Sequence, residues 1–183
     1  RMMKRTIGGL LLCLVLAGMA ASAANTRGSI TILGNGDFTQ ENGVVAGSGT
    51  ADDPYIIAGW EILVPDGAHY GVRIENVTAR FELRGLVIQY AREMSGAGIR
   101  IGFAEGGVIR GCTIANSLHG IDIISSTDIR IEDTALFTAG RGLRVIGETP
   151  ELYRHVVSES SEHNGRPIYY FYGLDGETIS GLE

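Results

Sequence analysis

One short phrase recurs six times along this chain, and its spacing restricts the fold more than any other feature. The copies are Ile57-Ala-Gly-Trp-Glu-Ile62, Leu83-Arg-Gly-Leu-Val-Ile88, Ile109-Arg-Gly-Cys-Thr-Ile114, Ile131-Glu-Asp-Thr-Ala-Leu136, Tyr153-Arg-His-Val-Val-Ser158 and Ile179-Ser-Gly-Leu-Glu183. They begin 26, 26, 22, 22 and 26 residues apart. A second phrase keeps the same beat: Gly71-Val-Arg-Ile74, Gly98-Ile-Arg-Ile101, Gly120-Ile-Asp-Ile123 and Gly142-Leu-Arg-Val145. A fixed period in this range marks a solenoid, whose units bury their apolar side only by stacking on neighbours. Each unit holds short β-branched runs broken by Gly, Asn and Ser, with no room for a long helical pattern. The expectation is an all-β chain forming a right-handed parallel β-helix of about five to six rungs behind an N-terminal capping segment.

The first 23 residues read as a secretory leader. Lys4 and Arg5 precede an apolar run from Ile7 to Ala17, and Ala21-Ser-Ala23 supplies small residues for cleavage. That run is shorter than the roughly 20 residues of a membrane span, so no transmembrane segment is expected in the mature chain. Beyond the leader one cysteine remains, Cys112, and no intrachain disulfide can form. Cys112 shares its phrase position with Trp60, Leu86 and Thr134, so it reads as a small buried hydrophobe rather than a catalytic thiol. The same part of the chain has twelve basic residues, all arginine, against 21 acids, a balance of −9. That sign argues against nucleic acid or an anionic membrane surface as the main partner and suits a location that is secreted, periplasmic or at the cell surface.

Superposing the phrases turns sequence into columns, since stacked strands pair about 4.8 Å apart and side chains alternate between faces. The inward columns are Ile57, Leu83, Ile109, Ile131 and Tyr153; Ile62, Ile88, Ile114 and Leu136; Val72, Ile99, Ile121 and Leu143; and Ile74, Ile101, Ile123 and Val145. A turn column reads Gly59, Gly85, Gly111, Asp133, His155 and Gly181, where glycine supplies positive φ and His155 has a structural role. Two outward columns carry charge: Arg73, Arg100, Asp122 and Arg144, and Arg84, Arg110, Glu132 and Arg154. Each sets arginines around a single acid. One reading is a weakly paired surface ladder. The other is a cationic stripe that holds an acidic glycan by bidentate contacts.

Open strand edges at the ends of such a stack need covering. Residues 24–54 read as the N-terminal cap, with the repeats occupying 55–183. Within the cap, Asn35-Gly-Asp37 is only faintly like the start of a calcium loop, because the later oxygen ligands are missing. Arg166-Pro-Ile-Tyr-Tyr-Phe-Tyr172 reads as aromatic rung core rather than a sugar-stacking platform. The sixth phrase stops one residue before its closing apolar position, so the native protein is expected to continue with further rungs.

Gly47-Ser-Gly-Thr-Ala-Asp-Asp-Pro-Tyr-Ile-Ile-Ala-Gly-Trp-Glu-Ile62 resembles the opening segment of the NosD-like, periplasmic copper-binding type of right-handed parallel β-helix protein. The rungs that follow resemble that family's repeats, and Asn164-Gly-Arg-Pro-Ile-Tyr-Tyr170 resembles a segment found between them. The resemblance implies the fold over about residues 28 to 183 and leaves activity open, since the wider family includes carbohydrate-binding, sugar-hydrolysing and non-catalytic surface proteins. A copper role is not expected: Met94, His69, His119, His155 and His163 are scattered, and soft or imidazole ligands must converge to hold that metal.

Hydrolases of this fold bring carboxylates together on one strand face as general acid and base. Asp122, Asp128, Glu132 and Asp133 are the densest acids, and no paired-Asp motif or calcium carboxylate cluster accompanies them. The reading is a non-catalytic domain, without cofactor or metal, that touches polysaccharide or cell-envelope components. A polysaccharide hydrolase or lyase acting on an acidic glycan is the alternative, with Asp122 between Arg100 and Arg144 as its candidate centre.

Overall fold

The structure, a computed structural model, describes residues 25–173. The expected leader with Cys13 and the sixth phrase at 179–183 lie outside the described residues. Each rung runs through three short strands, so the chain builds three sheets wound around one core. The result is a parallel β-helix of about four turns.

Sheet I stacks Tyr55–Ala58, Phe81–Arg84, Gly107–Arg110, Arg130–Glu132 and Val156–Val157 in parallel, with Val44–Ala46 antiparallel at its N-terminal edge. Sheet II stacks Asn25–Arg27, Trp60–Leu63, Val87–Gln89, Thr113–Ser117, Ala135–Thr138 and Glu162–His163, and ends in antiparallel Arg166–Pro167. Sheet III stacks Ile30–Ile32, Tyr70–Val77, Ala97–Ala104, Ile121–Ile124 and Leu143–Ile146. The segment before Tyr55 thus lends one strand to each sheet. Two of these, Asn25–Arg27 and Ile30–Ile32, already follow the parallel path.

Identical local patterns at each rung place isoleucine on isoleucine. Ile57, Leu83, Ile109 and Ile131 are register partners in sheet I, and Ile62, Ile88, Ile114 and Leu136 in sheet II. In sheet III, Ile74, Ile101 and Ile123 form one column and Val72, Ile99 and Ile121 the next. All of these are buried to 1% exposure or less. Each stabilises the fold by roughly 1.5–3 kcal/mol relative to an exposed side chain. Cys112 joins them at 1% exposure.

Corners between sheets I and II need a left-handed residue. Gly59, Gly85, Gly111 and Asp133 supply it with φ of 70°, 58°, 61° and 49°. The glycines of the second phrase answer a different demand. A Cβ on Gly120 would lie 2.3 Å from the carbonyl oxygen of Gly142 in the next rung, and one on Gly98 would lie 2.5 Å from Ile114. Gly120→Ala is therefore expected to cost about 1–3 kcal/mol through forced backbone displacement, read as a fall in the urea midpoint. An unchanged midpoint would show that the rungs part freely at this corner.

The last turn departs from the expected columns. Tyr153 is not inward: it ends the 3₁₀ turn Pro150–Tyr153, is 37% exposed, and bonds the backbone of Gly147 through its hydroxyl. Val157, four residues later, is the partner of Ile131. The inserted turn lengthens this rung, and the β-branched pair Val156-Val157 sets the register in place of Tyr153. His155 consequently leaves the turn column. It lies buried at 6% exposure, with Nδ1 accepting the Ile129 N–H at 3.3 Å.

The aromatic run is likewise not rung core. Asn164 and Gly165, with φ of 52° and 78°, form the positive-φ pair of a tight hairpin. The chain reverses there, pairing Glu162 with Pro167 and His163 with Arg166. Phe171 and Tyr172 are exposed, and the Tyr170 hydroxyl donates to the Tyr153 carbonyl at 2.7 Å.

Candidate functional site

On the outer face of sheet III, Arg73, Arg100, Asp122 and Arg144 stand one above another in register. Their partners are not the ones that a single central acid implies. Arg144 grips Asp122 with both ends of its guanidinium, Nε donating to Oδ1 at 2.9 Å and Nη2 to Oδ2. Arg73 and Arg100 share Glu75, at 2.5 Å and 2.6 Å, and both guanidinium groups lie near the Tyr70 ring, 5.9 Å and 5.3 Å from its centroid. The arginine stems cover the acids: Asp122 is 1% exposed and Glu75 6%.

Sheet I repeats the arrangement. Arg84, Arg110 and Glu132 are register partners. Arg84 binds Glu82 through two contacts of 2.8 Å, and Arg110 donates to Glu132 at 2.9 Å through Nε. Arg154 does not belong to this column. It sits one corner earlier, carried there by the register set at Val157, and pairs with Asp128 through two contacts of 2.9 Å. All six arginines of the two expected columns therefore hold a carboxylate. Glu75, Glu82, Asp128 and Tyr70 were missing from the sequence-based site. Period 2 along the strand could have found two of them, since Glu75 follows Arg73 and Glu82 precedes Arg84 by two residues on the same outward face.

These pairings shift titrations. For Glu82 the Arg84 hydrogen bonds, and for Asp128 those of Arg154, hold the carboxyl below its ordinary range. Burial works to raise Glu75, and the Arg73 and Arg100 guanidinium groups together outweigh it, leaving Glu75 lowered. His155 is held below 6.5 by burial, which disfavours the imidazolium. Below that value the unfolded chain takes up a proton that folded His155 resists, so its contribution is complete above about 6.5 and lost as the pH falls through it. The three carboxylates contribute fully above about 4.5 and lose that contribution as the pH drops toward their depressed folded values. Urea midpoints should thus decline in two stages on acidification. His155→Gln should flatten the first stage alone, and a wild-type midpoint unchanged between about pH 7 and 5 would contradict this.

Other candidate ligands have structural partners. Asn35 Oδ1 accepts the Thr78 and Ala79 N–H groups at 3.0 Å and 3.1 Å, and Asp37 accepts the Leu33 N–H at 2.8 Å, so both pin the cap. His69 meets Ser95, His119 accepts the Arg141 N–H, and His163 meets Thr138. Among the described residues no group of three or more His, Cys, Asp or Glu side chains converges to hold a metal ion. Burial pushes the Cys112 thiol up to about 11, so it stays protonated at neutral pH. Among the described residues no helix is long and apolar enough to cross a membrane.

The outer face of sheet II differs from the other two. None of the six ion pairs among the described residues lies on it. Its central positions are Val87, Gln89, Thr113, Ala115, Ala135 and Phe137, and a groove of about 530 Å³ opens beside Phe137. No family model, curated protein or solved structure matches this chain.

Proposed function

We propose that this chain is a secreted, non-catalytic, right-handed β-helix domain of the NosD-like type, with a structural, adhesive or carbohydrate-binding role at the cell surface. The observation that carries the reading is the mutual neutralisation of the two charged faces. A glycosidase needs two carboxyl groups free to face the scissile bond, one to donate a proton and one to attack or activate water. Here Asp122 is buried under Arg144, and Glu75 and Glu82 are likewise occupied by arginine. Such ladders stiffen a platform. The NosD-like assignment rests on the Gly47 to Ile62 segment, on the repeats and on the Asn164-Gly165 reversal.

Incubation with polygalacturonate, alginate and neutral glycans, with and without calcium, is expected to release neither reducing ends nor unsaturated products. Turnover abolished by Asp122→Asn, in a variant shown to be folded, would replace this reading with a hydrolase or lyase acting on an acidic glycan.

A further inference from the structure

We infer that the face of sheet II is a binding site for a neutral polysaccharide chain, an inference that rests on the carbohydrate-binding form of the proposed function and relocates its site. Three observations converge there. The first is aromatic and apolar surface left open: Phe137 is 46% exposed and Tyr90 40%, with Leu63 and Val87 on the same face. Ala115, the register partner of Phe137, leaves space beside the ring, and Ala139 adds to the small-residue lining of the groove.

The second is a line of polar groups running up the rungs, with the amides of Asn116 and Gln89 at its centre. Asn116 Nδ2 donates to Gln89 Oε1 at 3.2 Å, and Gln89 Nε2 donates to Glu61 Oε1 at 3.2 Å. Arg92 lies over the Tyr90 ring at 4.7 Å, with Nε reaching the Asn116 carbonyl at 3.4 Å. Amide groups offer paired donors and acceptors, which match sugar hydroxyls that both give and take hydrogen bonds. A ring that stacks on the apolar face of a pyranose supplies the area, and the planar groups beside it fix orientation.

The third is charge and period. Glu61 and Glu162 flank the face at its two ends, on the column of Val87, Thr113 and Ala135, and would repel a polyanion. The six arginines that hold carboxylates lie off this face, and Arg92, which lines the groove, stacks over the Tyr90 ring. Rungs repeat at about 4.8 Å, close to the advance of one hexopyranose unit along an extended glycan. A glycan lying along the solenoid axis therefore sets successive sugars over successive rungs.

Isothermal titration of the protein with cellohexaose, xylohexaose, mannohexaose and chitohexaose, and with polygalacturonate as the acidic comparator, tests the site. The expected result is binding of at least one neutral hexasaccharide with little dependence on salt. Phe137→Ala should weaken it by about tenfold or more, Phe137→Tyr should retain it, and Phe103→Ala, on another face, should leave it unchanged. Because Phe137 is half exposed, its variants should keep the parent melting temperature, which verifies folding. Binding of polygalacturonate alone, lost in high salt or in Arg100→Ala, would overturn the inference and return the site to the arginine ladder. Neutral binding indifferent to Phe137→Ala would also overturn it. No binding of any glycan would overturn it while leaving a structural or adhesive role standing. Release of reducing ends would overturn the non-catalytic reading itself.

Discussion

Ile101→Ala is expected to lower unfolding stability by about 2–5 kcal/mol. Ile101 is fully buried in sheet III, with Ile74 on the rung before and Ile123 on the rung after. Strand hydrogen bonds hold the neighbouring rungs at fixed spacing, so they cannot close over the lost methyl groups. Stability then suffers both the transfer loss and a cavity. The denaturant midpoint should fall with the slope unchanged. Ile146→Ala, at an outward position 42% exposed on the same sheet, should move stability by no more than about 0.5 kcal/mol. A loss below about 1 kcal/mol for Ile101→Ala would mean that the column is not packed as described.

Asp122→Ala is expected to cost about 3 kcal/mol, and to do so without touching any reaction. Its carboxylate is 1% exposed, while the Arg144 side chain retains 29% exposure and can turn partly to water, which places the cost at the lower end for a broken buried pair. Arg144→Ala should cost at least as much, because it strands a buried negative charge. The double variant should be less damaging than the sum of the two, and the difference measures the coupling. Additive effects would show that the bidentate contact contributes little. The two readings of Asp122 separate here, since a catalytic acid is normally dispensable for stability and this buried, paired one is expected not to be.

The rung path was legible because it depends on a signal that each rung repeats. Ile57, Leu83, Ile109 and Ile131 can be aligned from the chain alone, and parallel pairing then carries that alignment into space. Asp133 could be placed in the glycine column for the same reason, since a corner with positive φ excludes most other residues. Legibility ended at the last turn, where a copy of the phrase no longer marked the strand. Tyr153 matched the apolar start of the phrase and sat at a familiar spacing, yet the 3₁₀ turn Pro150–Tyr153 moved the strand four residues on. With it moved His155, into the core, and Arg154, out of the ladder and onto Asp128.

The candidate site divides in the same way. The arginine columns were visible across the rungs, whereas their partners depended on which carboxylate each guanidinium reaches first. Glu75 takes two arginines and leaves Asp122 to Arg144, a choice made by contact distances that no periodicity encodes. The face of sheet II left no charge pattern to notice, and its groove brings Ala115 and Ala139 beside Phe137 only once the rungs are stacked. The sequence by itself determined the inward columns and the corners, because apolar burial and backbone sterics act at every rung and any slip of register would turn isoleucines toward water. The tertiary structure alone decided the ion-pair partners, the register of the last turn and the location of the open neutral face. Those outcomes depend on competition among neighbours from different rungs, which is settled only once the rungs are stacked.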